Sequence, residues 1–246
     1  MIRDVGGSYR RAIVETVHHY CGERPDPRSI DALKAEGCWN NDWQASLELL
    51  RRRGLEPLPA FEALVAVFNG FYFGGDPNGD PSAWRGFIGR EPLLVERPFF
   101  AALSQAGVQW GFVSGAEPPS ARFVLEQRLG LSAPPLIAMG DAPDKPDPTG
   151  LLRLAGALLG GELGPQAPPV AYLGDTVADV ITVQRARQQR PRQRFVSLAV
   201  APPHLHDPGA RERRSHYEAQ LLEAGADAVI PSTTAVLTAL ELALAG

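Results

Sequence analysis

The stretch Tyr172-Leu173-Gly174-Asp175-Thr176-Val177-Ala178-Asp179 ends an apolar run in a Gly-Asp turn and then opens a helix. Val170–Leu173 reads as a buried strand and Thr176–Gln188 as the helix after it. Two acids four residues apart at the carboxyl end of a strand are where an α/β protein would hold a divalent cation. Two further stretches precede it. Phe112-Val113-Ser114-Gly115 closes the expected strand Val108–Val113, and Asp144-Lys145-Pro146-Asp147-Pro148 comes after the expected strand Leu136–Met139. In an open parallel sheet ligands bind beyond the carboxyl ends of the strands. That topology gathers Ser114, Asp175 and Asp179 on one edge, with Lys145 on the loop or first turn leading into the next helix.

The pattern outward from this stretch alternates. Helices are expected at Phe99–Ala106, Pro119–Leu129, Thr149–Leu159, near Tyr217–Ala224 and at Thr234–Ala245, with strands at Phe195–Val200 and Ala226–Ile230. Strands alternating with helices predict a parallel sheet covered on both faces. The first third differs. Tyr9, Ala12, Ile13, Thr16, Val17 and Tyr20 recur at the spacing of one helix face, and helices are expected at about Pro27–Ala35, Asp42–Arg53 and Pro59–Asn69. Phe73–Ser82, rich in Gly and Pro, reads as a loop or hinge. Residues 6 to about 85 carry no strand pattern.

The chain has 246 residues, 44% hydrophobic and 21% charged, with a net charge of −4. That suits a soluble globular protein with a full core. No apolar run approaches the roughly 20 residues of a membrane helix, and Met1-Ile2-Arg3-Asp4 has no secretory apolar region. Cys21 and Cys38 form no Cys-x-x-Cys, so the reading is reduced thiols in a cytoplasmic protein, and mild acidity speaks against a nucleic-acid partner. Only Lys34 and Lys145 are lysines among 24 basic residues, so a Lys inside Asp-Lys-Pro-Asp-Pro stands out. Its compact ammonium can sit against phosphate and carboxylate together. Each feature has a plain alternative: Ser114 a turn former, Lys145 a solvated charge, Asp175 an N-cap.

Together, and in this order, the three stretches resemble motifs two, three and four of the haloacid-dehalogenase superfamily, specifically its phosphoglycolate-phosphatase-like members with a helical cap. The resemblance implies a Rossmann-like, doubly wound parallel α/β core at residues 86–246, a helical cap at 8–85 and a short remnant at 1–7. It implies that Ser114, with the backbone N–H of Gly115, would bind a phosphoryl oxygen, and that Lys145 would neutralise the phosphoryl group. Asp175 would ligate Mg²⁺, and Asp179 would do so directly or through water. The implied activity is hydrolysis of a small phosphorylated metabolite through an aspartyl-phosphate. The segment Gly37-Cys38-Trp39-Asn40-Asn41-Asp42-Trp43 resembles a cap loop of this superfamily, making Asn41 and Trp43 candidate substrate contacts. The alternative is that Asp42 caps a helix and both Trp pack inside. Lys34, in an ordinary amphipathic helix, reads as solvated rather than as the Schiff-base Lys of phosphonoacetaldehyde hydrolases. His18-His19 and His204-Leu205-His206 read as non-ligands.

The superfamily's first motif, an apolar strand followed by Asp-x-Asp, has no match in the chain; Asp4-Val5-Gly6 lacks the strand and the second Asp. Met1–Tyr9 resembles the segment that leads from that motif into the cap. The expectation is a start placed too late, with a shortened, inactive, ligand-binding relative as the alternative. The strand at issue would lie between those carrying Ser114 and Asp175.

Overall fold

The computed structural model describes residues 1–39 and 41–245. It divides into a helical unit, Arg3–Pro92, and an α/β unit made of Met1–Ile2 and the chain from Leu93 onward.

In the helical unit the four helices are α1 (Tyr9–Cys21), α2 (Pro27–Ala35), α3 (Asp42–Arg52) and α4 (Phe61–Tyr72). Their starts reflect local chemistry. Asp26 caps α2 with Pro27 at the first position, and Asn41 caps α3 by accepting from Trp43 N at 3.0 Å and Gln44 N at 3.1 Å. α1, α3 and α4 pack on one another and bury Ile13, Val17, Leu49, Leu50, Leu64 and Phe68. After α4 the chain doubles back: Gly86 N donates to Phe73 O at 2.8 Å, and a Cβ on Gly86 would lie 2.3 Å from Tyr72 O. No larger residue fits there.

This unit also buries a charged pair. Glu91, 1% exposed, accepts from Arg3 Nη1 at 2.5 Å, Ser8 Oγ at 2.5 Å and Tyr72 Oη at 3.2 Å. Beside it Asp4 N donates to Pro92 O at 2.8 Å, while the Asp4 carboxylate accepts from Gly6 N at 2.8 Å and closes a turn.

The α/β unit holds α5 (Arg97–Gln105), β1 (Phe112–Val113), α6 (Pro118–Arg122), β2 (Leu136–Ile137) and α7 (Thr149–Leu159). Then come β3 (Val170–Gly174), α8 (Val177–Gln189), β4 (Phe195–Ala199), α9 (Arg211–Glu223), β5 (Ala228–Val229) and α10 (Val236–Ala245). The helix expected over Pro119–Leu129 is α-helical only to Arg122; Phe123–Arg128 is π-helical. All strand pairs are parallel, as the alternating pattern predicts, but they form two pieces: β1-β2, and β3-β4-β5 in that order. Among the described residues no ladder joins β1 or β2 to β3.

One apolar layer nevertheless runs under both pieces. Phe112, Leu136 and Leu173 pack with Val196 and Leu198 of β4 against Phe100 and Leu103 of α5 and Val236 and Leu240 of α10. The opposite face of β3 and β4, Val170, Tyr172 and Phe195, meets Leu151 of α7 and Val183 and Ala186 of α8. All five residues of β4 are buried, as a central strand requires, whereas Ala171 of β3 is exposed. The short β1 and the partly exposed β3 fit strands that lack a neighbour on one side.

Candidate functional site

At the carboxyl end of β3 the backbone turns through Asp175 into α8. Thr176 and Asp179 form a capping box: Asp179 N donates to Thr176 Oγ1 at 3.2 Å, and Thr176 N to Asp179 Oδ2 at 3.1 Å. The same Oδ2 accepts from Thr176 Oγ1 at 2.8 Å and Asp175 N at 3.1 Å. Oδ1 accepts from Lys145 Nζ at 2.5 Å and Tyr172 Oη at 3.0 Å. With five donors around it and 3% exposure, the Asp179 carboxylate is fully occupied. Burial would push it up, but the Lys145 charge and these hydrogen bonds hold it down to about 2.

Lys145 lies on the loop between β2 and α7, with its side chain 14% exposed. Burial would pull the ammonium down; Asp179, with Tyr172 and Asp175, raises it above its ordinary value, so it stays charged. Asp175 differs. Its side chain makes no hydrogen bond to another residue among those described. Burial and the neighbouring Asp179 push it up, opposed by the Met1 amine and Lys145. Its backbone carbonyl accepts from Tyr217 Oη of α9 at 2.8 Å.

Ser114 continues the β1-β2 ladder, its N–H donating to Ile137 O at 2.8 Å, and its Oγ accepts from Ala116 N at 3.1 Å across Gly115. The structure thus brings Lys145, Asp175 and Asp179 together, with Ser114 and Gly115 at the end of β1. In the helical unit Asn41 spends its side chain capping α3, and Trp43 packs edge-on against Phe61 and Phe68, each at 6.5 Å. Asn40 lies outside the described residues. Lys34 is not a solvated charge: its ammonium donates to Trp39 O at 2.7 Å and Asp42 Oδ1 at 2.5 Å. Asp42 therefore serves Lys34, and Asn41 is the cap. Both ring nitrogens of His206 are engaged, by Ala201 O at 2.9 Å and the Arg214 guanidinium at 3.1 Å.

Sequence reading missed Tyr172, Thr176 and Tyr217. A polar-tipped aromatic inside Val170-Ala171-Tyr172-Leu173-Gly174 and a Thr three residues before an Asp were visible signals; nothing marked Tyr217, 42 residues beyond its partner.

For a hard divalent cation the site offers Asp175, a carboxylate not committed to another residue, which suits Mg²⁺ with most of its waters retained. Among the described residues no group of three or more His, Cys, Asp or Glu is placed to hold a metal.

The haloacid dehalogenase-like hydrolase family model matches residues 94–187. The fold resembles a phosphonoacetaldehyde hydrolase-like protein from Oleispira antarctica, with a TM-score of 0.65 and 15% identity over 98% of this chain and 87% of that one. It also resembles a predicted phosphoglycolate phosphatase from Haemophilus somnus, at TM-score 0.62 and 13% identity over 97% and 93%. The phosphatase Tt82 from Thermococcus thioreducens gives TM-score 0.57 and 21% identity over 80% and 88%. An imidazoleglycerol-phosphate dehydratase from Phytophthora nicotianae is 30% identical over 190 residues, 76% of this chain. The chain spans 39% of that protein's length. The family match lies across Ser114, Lys145 and Asp175, so residues 94–187, which carry the site, match the haloacid dehalogenase-like hydrolases.

Proposed function

We propose that the site serves a Mg²⁺-dependent phosphatase acting on a small phosphorylated metabolite through an aspartyl-phosphate. The observation that carries this is the charged Lys145 ammonium, locked on Asp179 beside the uncommitted carboxylate of Asp175. Lys145 would neutralise a phosphoryl group, Ser114 and Gly115 would bind its oxygens, and Asp175 would hold Mg²⁺. When bound, Mg²⁺ would screen phosphoryl charge during transfer. Asn41 and Trp43 are proposed as substrate contacts, Asn41 while also capping α3.

In the reaction a carboxylate oxygen attacks phosphorus and the P–O ester bond breaks, the departing alkoxide taking a proton from water to leave as the alcohol. Water then cleaves the acyl phosphate, releasing phosphate and restoring the carboxylate. Asp175 and Asp179 are poor candidates for this nucleophile, since one is the cation ligand of the proposal and the other is fully hydrogen-bonded. The nucleophile is therefore assigned to an Asp on a further strand between β1 and β3, whose lack of mutual pairing supports the idea. The rival is a non-catalytic protein that binds a phosphorylated ligand.

The test compares this 246-residue chain with a form carrying an added strand and Asp-x-Asp ahead of Met1, assayed on an aryl phosphate with Mg²⁺. Turnover only in the extended form, lost in Asp175→Ala, is expected. Robust turnover by the short form would refute the nucleophile assignment, and inactivity of both would favour the non-catalytic reading.

A further inference from the structure

The Lys145 ammonium needs its position fixed, because a four-carbon side chain has many rotamers and a phosphoryl group has one place. Three elements converge on it. Asp179 comes from the first turn of α8, Lys145 from the loop before α7, and Tyr172 from the middle of β3. Asp179 Oδ2 is held by Asp175 N, Thr176 N and Thr176 Oγ1, which places the carboxylate but leaves Oδ1 to other groups. Those groups are Lys145 and the Tyr172 phenol.

The phenol sits on the α7–α8 side of β3, packed among Leu151, Val183 and Val170. Burial and the Asp179 charge push Tyr172 up, so it keeps its proton and remains a donor. Tyr172 and Lys145 thus meet on one carboxylate oxygen, Asp179 Oδ1, at 3.0 and 2.5 Å. A Phe at this place would fill the same apolar pocket, so packing alone does not account for the hydroxyl.

We propose that Tyr172 is a positioning residue for Lys145, its phenol closing a Tyr172–Asp179–Lys145 cluster that fixes the ammonium at the carboxyl edge of the sheet. In this cluster Asp179 is an anchor for Lys145 rather than a direct cation ligand, since a cation would have to displace one of its five donors. Lys145 as the phosphoryl-binding group rests on the phosphatase reading; the cluster itself does not.

The chain's two lysines make the test direct. A hydrogen-bonded, buried ammonium exchanges its protons with water slowly enough to give a ¹H–¹⁵N signal in lysine-labelled protein, and both Lys34 and Lys145 are held this way. In Tyr172→Phe the Lys145 protons are expected to exchange about threefold faster or more, the effect of losing one hydrogen bond. The Lys34 signal, in the other unit, should be unchanged. Asp179→Asn should accelerate Lys145 further. Amide signals of β4 verify that the α/β unit is folded; if Tyr172→Phe loses them, Tyr172→Leu, which also lacks a donor, carries the same expectation. Unchanged Lys145 exchange in a folded Tyr172 variant overturns the proposal. The measurement needs no turnover, so inactivity of both the short and the extended form with a protected Lys145 sinks the phosphatase reading and leaves the positioning role intact.

Discussion

Asp179 folds back over Gly174 so closely that a Cβ at position 174 would lie 2.2 Å from the Asp179 Cβ and 2.4 Å from its Cγ. The glycine of this turn is there for space, since its backbone angle is one that any residue adopts. Gly174→Ala should therefore displace Asp179, at a cost of about 1–3 kcal/mol. Loss of the slow Lys145 ammonium signal, together with a lowered thermal midpoint, would show it. A variant with wild-type stability and an undisturbed Lys145 would contradict the close packing.

Asn41 has two competing roles, and a pair of substitutions separates them. As the cap of α3 it should cost about 1 kcal/mol when changed to Ala and little when changed to Asp, which also caps. Urea denaturation of both variants reads this. If Asn41→Ala is neutral, the cap is unimportant and a role in binding regains ground.

Glu91 is predicted to be the most sensitive position of the helical unit. Glu91→Leu would leave the Arg3 guanidinium buried without its carboxylate, a loss of about 3–5 kcal/mol. Denaturant unfolding followed by tryptophan fluorescence reads this, with Trp39, Trp43 and Trp84 in this unit and Trp110 alone in the other. A loss below about 1 kcal/mol would show that the pair is not buried as described.

Acid should weaken the helical unit through Glu48. Hydrogen bonds from Arg51, then Arg52, hold its carboxyl down to about 2, from an ordinary value of 4.5. A depressed folded value means that the contribution is complete above pH 4.5 and disappears as pH falls toward 2. Arg52 also pairs with Glu36, so part of the dependence belongs to that residue. In Glu48→Gln the fall in thermal midpoint between those two pH values should be shallower than in the wild type; parallel curves would exclude Glu48 as a contributor.

Much of this architecture was legible because it rests on periodicity. The helices of both units and the strand–helix alternation are read from apolar spacing, which depends on near neighbours in the chain. β1 and β2 were overestimated for the same reason. Val108–Val113 has a strand's composition, but pairing on one side only leaves just Phe112–Val113 in a ladder. The site was legible as a set of residue types after strands, and its order matched a known pattern. Who binds whom was not. Lys145 and Asp179 are 34 residues apart and Tyr217 and Asp175 are 42 apart, so those contacts are made only when the chain folds. The cap of α3 fell to Asn41 rather than to Asp42 because either side chain can cap a helix, and only Lys34, eight residues before Asp42, decides between them.

The interrupted sheet bears on how the α/β unit comes apart. Its two pieces are joined by side chains in a common apolar layer and by no backbone ladder among the described residues. Cooperativity between them is then only as strong as that layer, and each piece can open as a separate foldon. The amides of Leu198 and Ala199, paired within β3-β4-β5, should be the slowest in the unit to exchange with deuterium. Those of Phe112 and Ser114 should exchange through cheaper sub-global openings that leave the larger piece intact.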